Sequence, residues 1–139
     1  MLKKLWIIVA CLGLASGAFA QKKSQKSADL IGITWELVSI TKQDQKELTP
    51  HRPVKVVFSK DAMSYNPDCN QCGRWAKIDT KKKQISFSPS QKGDACTELK
   101  CLNEQTYSFP YETLTYSLKG EFLELTGKYS KVRLKKIAQ

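Results

Sequence analysis

Apolar and polar residues alternate along most of the chain after residue 30, which predicts short β-strands. In the first strand, Ile33, Trp35 and Leu37 occupy every second position, and Val38 and Ile40 then shift the phase, which favours a β-bulge. Seven further runs of this kind are bounded by turn residues. They cover residues 54–59, 62–65, 73–78, 84–88, 115–119, 121–126 and 129–134.

One segment shows helical periodicity instead. Within residues 97–109, Leu99, Leu102 and Phe109 recur at helical spacing, and Thr97 is a suitable N-cap. About eight short strands and one helix predict a mainly β (α+β) fold. We expect a small antiparallel β-sheet or barrel with one packed helix.

The N-terminus predicts export. Lys3 and Lys4 precede an apolar run that ends in small residues, the pattern of a secretory signal peptide over residues 1–20. The run is shorter than the about 20 apolar residues that a retained anchor needs. The alternative is a lipoprotein lipidated at Cys11, because the residues before this cysteine resemble a lipobox, although apolar residues still follow it.

The exported chain has a flexible basic lead-in, residues 21–29, and one domain, residues 30–137. Loss of Lys3 and Lys4 lowers the formal net charge from +10 to +8. The remaining lysines are scattered over the lead-in, one turn and the last strand. We therefore expect no nucleic-acid partner, and instead peripheral contact with anionic membrane or envelope surfaces.

Loss of Cys11 leaves an even number of cysteines, which favours cystines in the oxidising periplasm or outside the cell. They are Cys69, Cys72, Cys96 and Cys101. A bridge within the C-x-x-C pair closes only a tight ring, whereas either cross-linked arrangement stabilises the fold by about 3–4 kcal/mol. A redox pair or a zinc site are the alternatives, but no helix N-terminus follows to activate a thiol, and an oxidising compartment disfavours zinc.

No catalytic constellation is recognisable. His51 is the only histidine, and no serine or cysteine of the exported chain has a partner that completes a nucleophile, base and orienter. We expect a non-enzyme with no catalytic residues, no cofactor and no metal site. Most aromatic residues occupy apolar positions of the predicted elements and are expected to pack in the core. These aromatic residues are Trp35, Phe58, Trp75, Phe87, Tyr107, Phe109 and Phe122.

Four landmarks in order resemble the META/HslJ-like family. They are Leu30-x-Gly32-x-x-Trp35-x-Leu37, Cys69-Asn70-x-x-Gly73-x-Trp75, Thr97-x-x-x-Cys101 and Tyr116-x-x-x-Gly120-x-x-Leu123-x-Leu125. Asp68 departs from the usual glycine, Gly73 comes one residue early, and Trp75 replaces an aromatic that is generally tyrosine.

The resemblance implies a compact β-rich domain of exported bacterial proteins, sometimes linked to heat shock or antibiotic tolerance, without an established biochemical activity. It also implies a Cys69–Cys101 pair, which leaves Cys72 with Cys96. The alternative is Cys69–Cys96 with Cys72–Cys101.

We therefore expect a monomeric, non-enzymatic binding or stress-related module in the periplasm or outside the cell. Its cystine-stapled β fold presents loops or a sheet edge to an unknown protein or cell-envelope component. The alternative is a small-molecule binder that uses a β-barrel cavity. A C-x-x-C thiol oxidoreductase is less favoured.

Overall fold

A computed structural model describes residues 30–67, 69–87, 95–97 and 109–138 of the chain. Nine strands lie within these ranges. They are β1 (Thr34–Lys42), β2 (Lys55–Phe58), β3 (Ala62–Tyr65), β4 (Cys72–Asp79), β5 (Gln84–Phe87), β6 (Ala95–Cys96), β7 (Leu114–Lys119), β8 (Phe122–Thr126) and β9 (Ser130–Lys136).

Eight of these strands close into an antiparallel barrel, which confirms the prediction of a small antiparallel β fold. Their order is β3-β2-β1-β9-β8-β7-β5-β4, and a β3–β4 pairing closes the circle. The two-residue β6 lies outside the barrel and pairs with Cys72 and Gly73. Since both residues also pair with β3, strands β3 and β6 lie on opposite edges of β4.

The first strand contains the predicted irregularity. The register of β1 against β9 shifts between Leu37 and Ser39. Ser39 and Ile40 are consequently both buried, although they are neighbours in the chain. A bulge places two successive residues against one on the partner strand, which accounts for the phase shift seen in the sequence.

Side chains fill the inside of the barrel. Trp35, Phe58 and Phe109 are the largest of them and are almost completely buried. They pack with aliphatic residues from all the longer strands, including Leu123 and Leu125 of β8, into one core. The alternation of buried and exposed positions along β8 and β9 follows the sequence pattern closely.

The predicted packed helix is not supported. The residues that the structure describes contain no helix, and most of the segment, residues 98–108, lies outside them. Its two ends, Thr97 and Phe109, are not helical. Phe109 instead belongs to the barrel core, where its ring meets that of Tyr65 edge to face with centroids 4.9 Å apart. Phe109, which contributed to the predicted helical spacing, is therefore apolar because it is buried in the barrel.

Strand β6 escapes sequence-based prediction because two exposed residues carry no alternation. In the described part of the chain, no helix is long and apolar enough to cross a membrane.

The segment of residues 109–113, called the strap below, leads across one end of the barrel into β7.

Candidate binding surface around Trp75

Strand β4 has its polarity reversed relative to the usual pattern. Arg74 points inward and is 4% exposed, whereas its neighbour Trp75 points outward and is 54% exposed. The inward phase is shared by Cys72 and Ala76, both buried. Trp75 therefore departs from the expectation that it packs in the core, because side chains alternate across a strand and the phase of β4 is set by its small apolar residues.

Arg74 is satisfied by the strap. Its guanidinium donates hydrogen bonds to the carbonyl oxygens of Phe109, at 3.2 Å, and Pro110, at 2.9 Å. It also stacks against the rings of Phe87, at 5.0 Å, and Tyr111, at 4.0 Å from the ring centroid. A planar cation that is hydrogen-bonded and flanked by aromatic faces is the arrangement in which arginine tolerates burial. Arg74 thus holds the strap against β4 and β5.

The other side of the strap is held by Glu112. Its carboxylate accepts hydrogen bonds from the backbone N–H groups of Lys128, at 2.7 Å, and Tyr129, at 3.2 Å, and from the Ser130 hydroxyl. Partial burial raises the pKa of Glu112, but these donors favour the charged form, so the pKa is lowered overall. Gly127 leaves room for the carboxylate, since a Cβ there would lie 2.3 Å from it.

Small side chains lie across from Trp75 on β3 and toward the start of β4. Ala62 lies directly across from it on β3, and the next pair on this outer surface is Ser64 with Gly73. Val57 of β2, which pairs with Ser64, continues the surface. We call the outward-pointing side chains of β2 to β5 the Trp75 face. It also includes Asp79 of β4 and Gln84 and Ser86 of β5.

Unpaired lysines surround this face. Lys55 and Lys77 lie on the strands, and the adjoining turns add Lys60, Lys81 and Lys82, all exposed. Within the described ranges, none of these five lysines is within 4.0 Å of a carboxylate. The carboxylates in this region are Glu36, opposite Lys55, together with Asp61 and Asp79. The pKa of Asp79 is lowered because its carboxylate accepts hydrogen bonds from the backbone N–H groups of Lys82 and Lys81 and lies near the charges of Lys82 and Lys77.

The outward-pointing side chains of β7, β8 and β9, called the β9 face, include basic residues that form two ion pairs with nearby carboxylates. Lys119 pairs with Glu124 at 2.7 Å and holds the pKa of that carboxyl below its ordinary value. Lys135 lies 4.0 Å from Glu121. Lys131 and Arg133 are also exposed on β9, so basic residues outnumber carboxylates on this face.

Three cysteines lie within the described residues: Cys69 precedes β4, Cys72 begins it, and Cys96 lies in β6. Cys72 and Cys96 form a disulfide, the pair that the family resemblance leaves for them. Cys69 is also disulfide-bonded, and its expected partner, Cys101, lies outside the described residues. Because Cys72 bonds to Cys96, the C-x-x-C cysteines are not a redox pair with each other in this structure.

Two of the landmarks of the family resemblance contact each other. The Thr97 hydroxyl donates to Asn70 Oδ1 at 3.0 Å and accepts from the Gln71 N–H at 2.9 Å. The Thr97 N–H also donates to the Gln71 carbonyl at 3.0 Å. Thr97 therefore fixes the turn before β4, a role that its predicted helix-capping position does not suggest.

Other candidate sites offer less. His51 is exposed in the loop after β1. An open cleft of about 600 Å³ lies beside the start of β1 and the end of β9. Gly32, Glu121 and Ile137 are among the residues that line it. In the described ranges, no group of three histidine, cysteine or acidic side chains could hold a metal ion.

The remaining aromatic residues divide by position. Trp35, Phe58, Phe87 and Phe109 are buried as predicted, and Phe122 is partly buried beneath Arg133, whose guanidinium lies 4.1 Å from its ring centroid. Tyr107 lies outside the described residues. Tyr111 and Tyr129, which the sequence did not single out, are about half exposed on the strap and the β8–β9 turn.

Comparison with known proteins supports the fold. An NMR structure of a protein from Burkholderia xenovorans superposes with a TM-score of 0.55 at 12% sequence identity, covering 79% of this chain and 85% of that chain. No family model and no curated protein matches the sequence. The similarity concerns the small β fold alone, and the META/HslJ-like resemblance remains a prediction.

Proposed function

We propose that this chain is an exported, non-enzymatic binding module of META/HslJ-like type that acts in the cell envelope, and that Trp75 marks its binding surface. The observation that carries the proposal is the reversal of β4. A tryptophan that is more than half exposed sits on a well-packed strand while an arginine occupies the interior position beside it. Exposed aromatic residues on a rigid support are common at sites of recognition.

The surroundings of Trp75 support a binding role. The disulfide between Cys72 and Cys96 and the clamp on Arg74 hold β4 from two sides. An exposed side chain on a fixed strand loses little conformational freedom on binding, which favours affinity. Disulfide bonding also fits export into an oxidising compartment.

The packed interior favours a surface site over a ligand held inside the barrel. The core side chains of opposite walls are almost fully buried, and the cleft near Gly32, Glu121 and Ile137 is open. A pocket for a small molecule is ordinarily an enclosed apolar volume with a few polar groups.

Photo-crosslinking in the host tests the proposal. A photoreactive phenylalanine analogue at position 75 should form crosslinks to an envelope component, and the same analogue at Lys131 should not. Position 131 is a matched control because it is exposed on β9, four strands away from β4 around the barrel. Equal crosslinking from both positions, or none from position 75, would contradict a binding surface at Trp75.

A further inference from the structure

We infer that the Trp75 face attaches the protein to the surface of an anionic phospholipid bilayer. This inference rests on the proposed binding function and names its partner. It combines three features of one surface: an exposed indole, small side chains beside it on β3 and β4, and five exposed lysines, none within 4.0 Å of a carboxylate in the described ranges.

The indole is suited to a membrane interface. Tryptophan side chains prefer the headgroup level of a bilayer, where the ring is half in contact with apolar chains and its N–H with polar groups. Among the described residues, the side chains across from Trp75 on β3 and toward the start of β4 are small, namely Ala62, Ser64 and Gly73, and leave the indole exposed on that side. A bilayer requires no complementary pocket, and the face offers none.

The lysines supply the charge complementarity. Lys77 is two residues from Trp75 on the same face of β4, and Lys60 lies in the turn before Ala62, which pairs with Trp75. Lys55 lies farther along β2, and Lys81 and Lys82 lie in the turn after β4; all five lysines are exposed. Lysine stems extend along a surface while the ammonium groups reach phosphates, and each such lysine strengthens attraction to anionic lipid. The β9 face is also basic, because Lys119, Lys131, Arg133 and Lys135 outnumber Glu121 and Glu124 there. The exposed indole, and not a larger net charge, therefore distinguishes the Trp75 face.

A protein partner fits this face less well. A stable protein interface buries about 800 Å² on each side and usually has several anchoring apolar residues. In the described part of the chain, the other large exposed apolar side chains belong to other strands and loops, namely Leu48, Tyr111, Leu118 and Tyr129. An added strand is also disfavoured at Trp75, because β4 there pairs with β3 and the barrel is closed.

Vesicle binding tests the inference with a built-in probe. The chain from Gln21 onward contains two tryptophans, of which Trp35 is buried and Trp75 exposed. The protein should sediment with vesicles of equal phosphatidylglycerol and phosphatidylcholine, and its emission should shift to shorter wavelength on binding. Phosphatidylcholine vesicles alone should not bind it, and added salt should weaken binding.

Substitutions on the two faces distinguish vesicle binding through the Trp75 face from general electrostatic attraction of a basic protein to anionic vesicles. Lys77→Gln should weaken partitioning by about fivefold, the value expected for the loss of one lysine near the surface, whereas Lys131→Gln should change it less. Trp75→Ala should abolish the spectral shift and weaken binding, while its far-UV circular dichroism remains that of the unsubstituted protein.

The outcomes that overturn the inference are distinct from those that overturn the binding function. Absence of vesicle binding, equal binding to neutral vesicles, or equal effects of the substitutions at Lys77 and Lys131 would exclude the lipid surface. If position 75 then crosslinks to a protein or a polysaccharide, the binding function stands with a different partner. If it crosslinks to nothing, both proposals fail.

Discussion

Strands β4 and β9 lie on opposite sides of the same barrel and differ in the types of residue that point into it. In β9, Val132 and Leu134 point inward, and the basic residues between them point outward. In β4 the same alternation places Arg74 inside and Trp75 outside. This difference shows what decides which side chains of a strand point into a barrel. It is the alternation along the whole strand and its pairing with neighbouring strands, rather than its largest residue.

The reversal in β4 requires compensation that β9 does not need. Strand β9 is stabilised by apolar packing inside and by weak, exposed ion pairs outside. Strand β4 instead depends on a disulfide at its start and on two carbonyl oxygens of the strap for its buried arginine. Substitutions should therefore have larger effects near β4 than at equivalent positions of β9.

Loss of the cystine should be the most damaging change. Cys72 and Cys96 are 24 residues apart in sequence, and closing a loop of that size stabilises a fold by about 3–4 kcal/mol through the unfolded chain. Replacing both cysteines by alanine should lower the free energy of unfolding by about this amount in urea titrations. A loss below about 1 kcal/mol would show that β4 does not depend on this staple.

Replacing Arg74 by methionine should be nearly as costly. The substitution keeps an apolar stem but leaves the carbonyl oxygens of Phe109 and Pro110 without their donor, so we expect a loss of about 2–3 kcal/mol. Arg74→Lys should not restore it, because an ammonium lacks the planar fork that reaches both carbonyls and stacks on the rings. Arg133→Met, an exposed arginine on β9, is the control and should cost less than about 1 kcal/mol. Equal losses at both positions would remove the distinction between the two strands.

Two glycines sharpen the comparison further. Gly127→Ala should cost about 1–2 kcal/mol, since the new methyl displaces the Glu112 carboxylate from its hydrogen-bond donors. Gly73→Ala on the Trp75 face should change stability by less than about 0.5 kcal/mol, because the nearest atom to its Cβ would be 3.7 Å away. In a Glu112→Ala background the penalty of Gly127→Ala should shrink. An undiminished penalty would mean that the glycine is needed for a reason other than the carboxylate.

Glu112 should also make stability depend on pH. Its folded-state pKa is lowered, so its contribution is present above the unfolded-state pKa of glutamate and is lost as the pH falls through the folded value. Glu112→Gln should therefore flatten the decline of thermal stability in acid relative to the unsubstituted protein. Parallel melting curves for the two proteins between neutral and acidic pH would contradict the assignment.

Most of the strands could be predicted from sequence, since period-two alternation reports burial directly. Strand β3 begins and ends where the pattern predicted, and the bulge in β1 is visible as a shift of phase. The sequence also contains the information on which side of β4 faces inward, because Cys72, Ala76 and Ile78 occupy alternate positions and Trp75 does not share them. Trp75 was nevertheless predicted to be buried, because tryptophan is large and apolar.

The partners of Arg74 could not be predicted. The carbonyl oxygens of Phe109 and Pro110 are 35 and 36 residues away in the sequence, and backbone groups carry no signature in a residue pattern. The Glu112 site is hidden for the same reason, since most of its donors are main-chain N–H groups of a turn. Long-range contacts of side chains with backbone become visible only in the folded chain.

Acrylamide quenching of tryptophan emission tests the reversal of β4 most directly. In the chain from Gln21 onward, Trp35 is 1% exposed and Trp75 is 54% exposed, so one fraction of the emission should be quenched readily and the other hardly at all. Trp75→Phe should remove the accessible fraction and leave short-wavelength emission from Trp35, with little change in stability. If Trp75→Phe instead leaves the accessible fraction in place, or destabilises the protein as loss of a core tryptophan would, then Trp75 is not on the surface and the binding face does not exist.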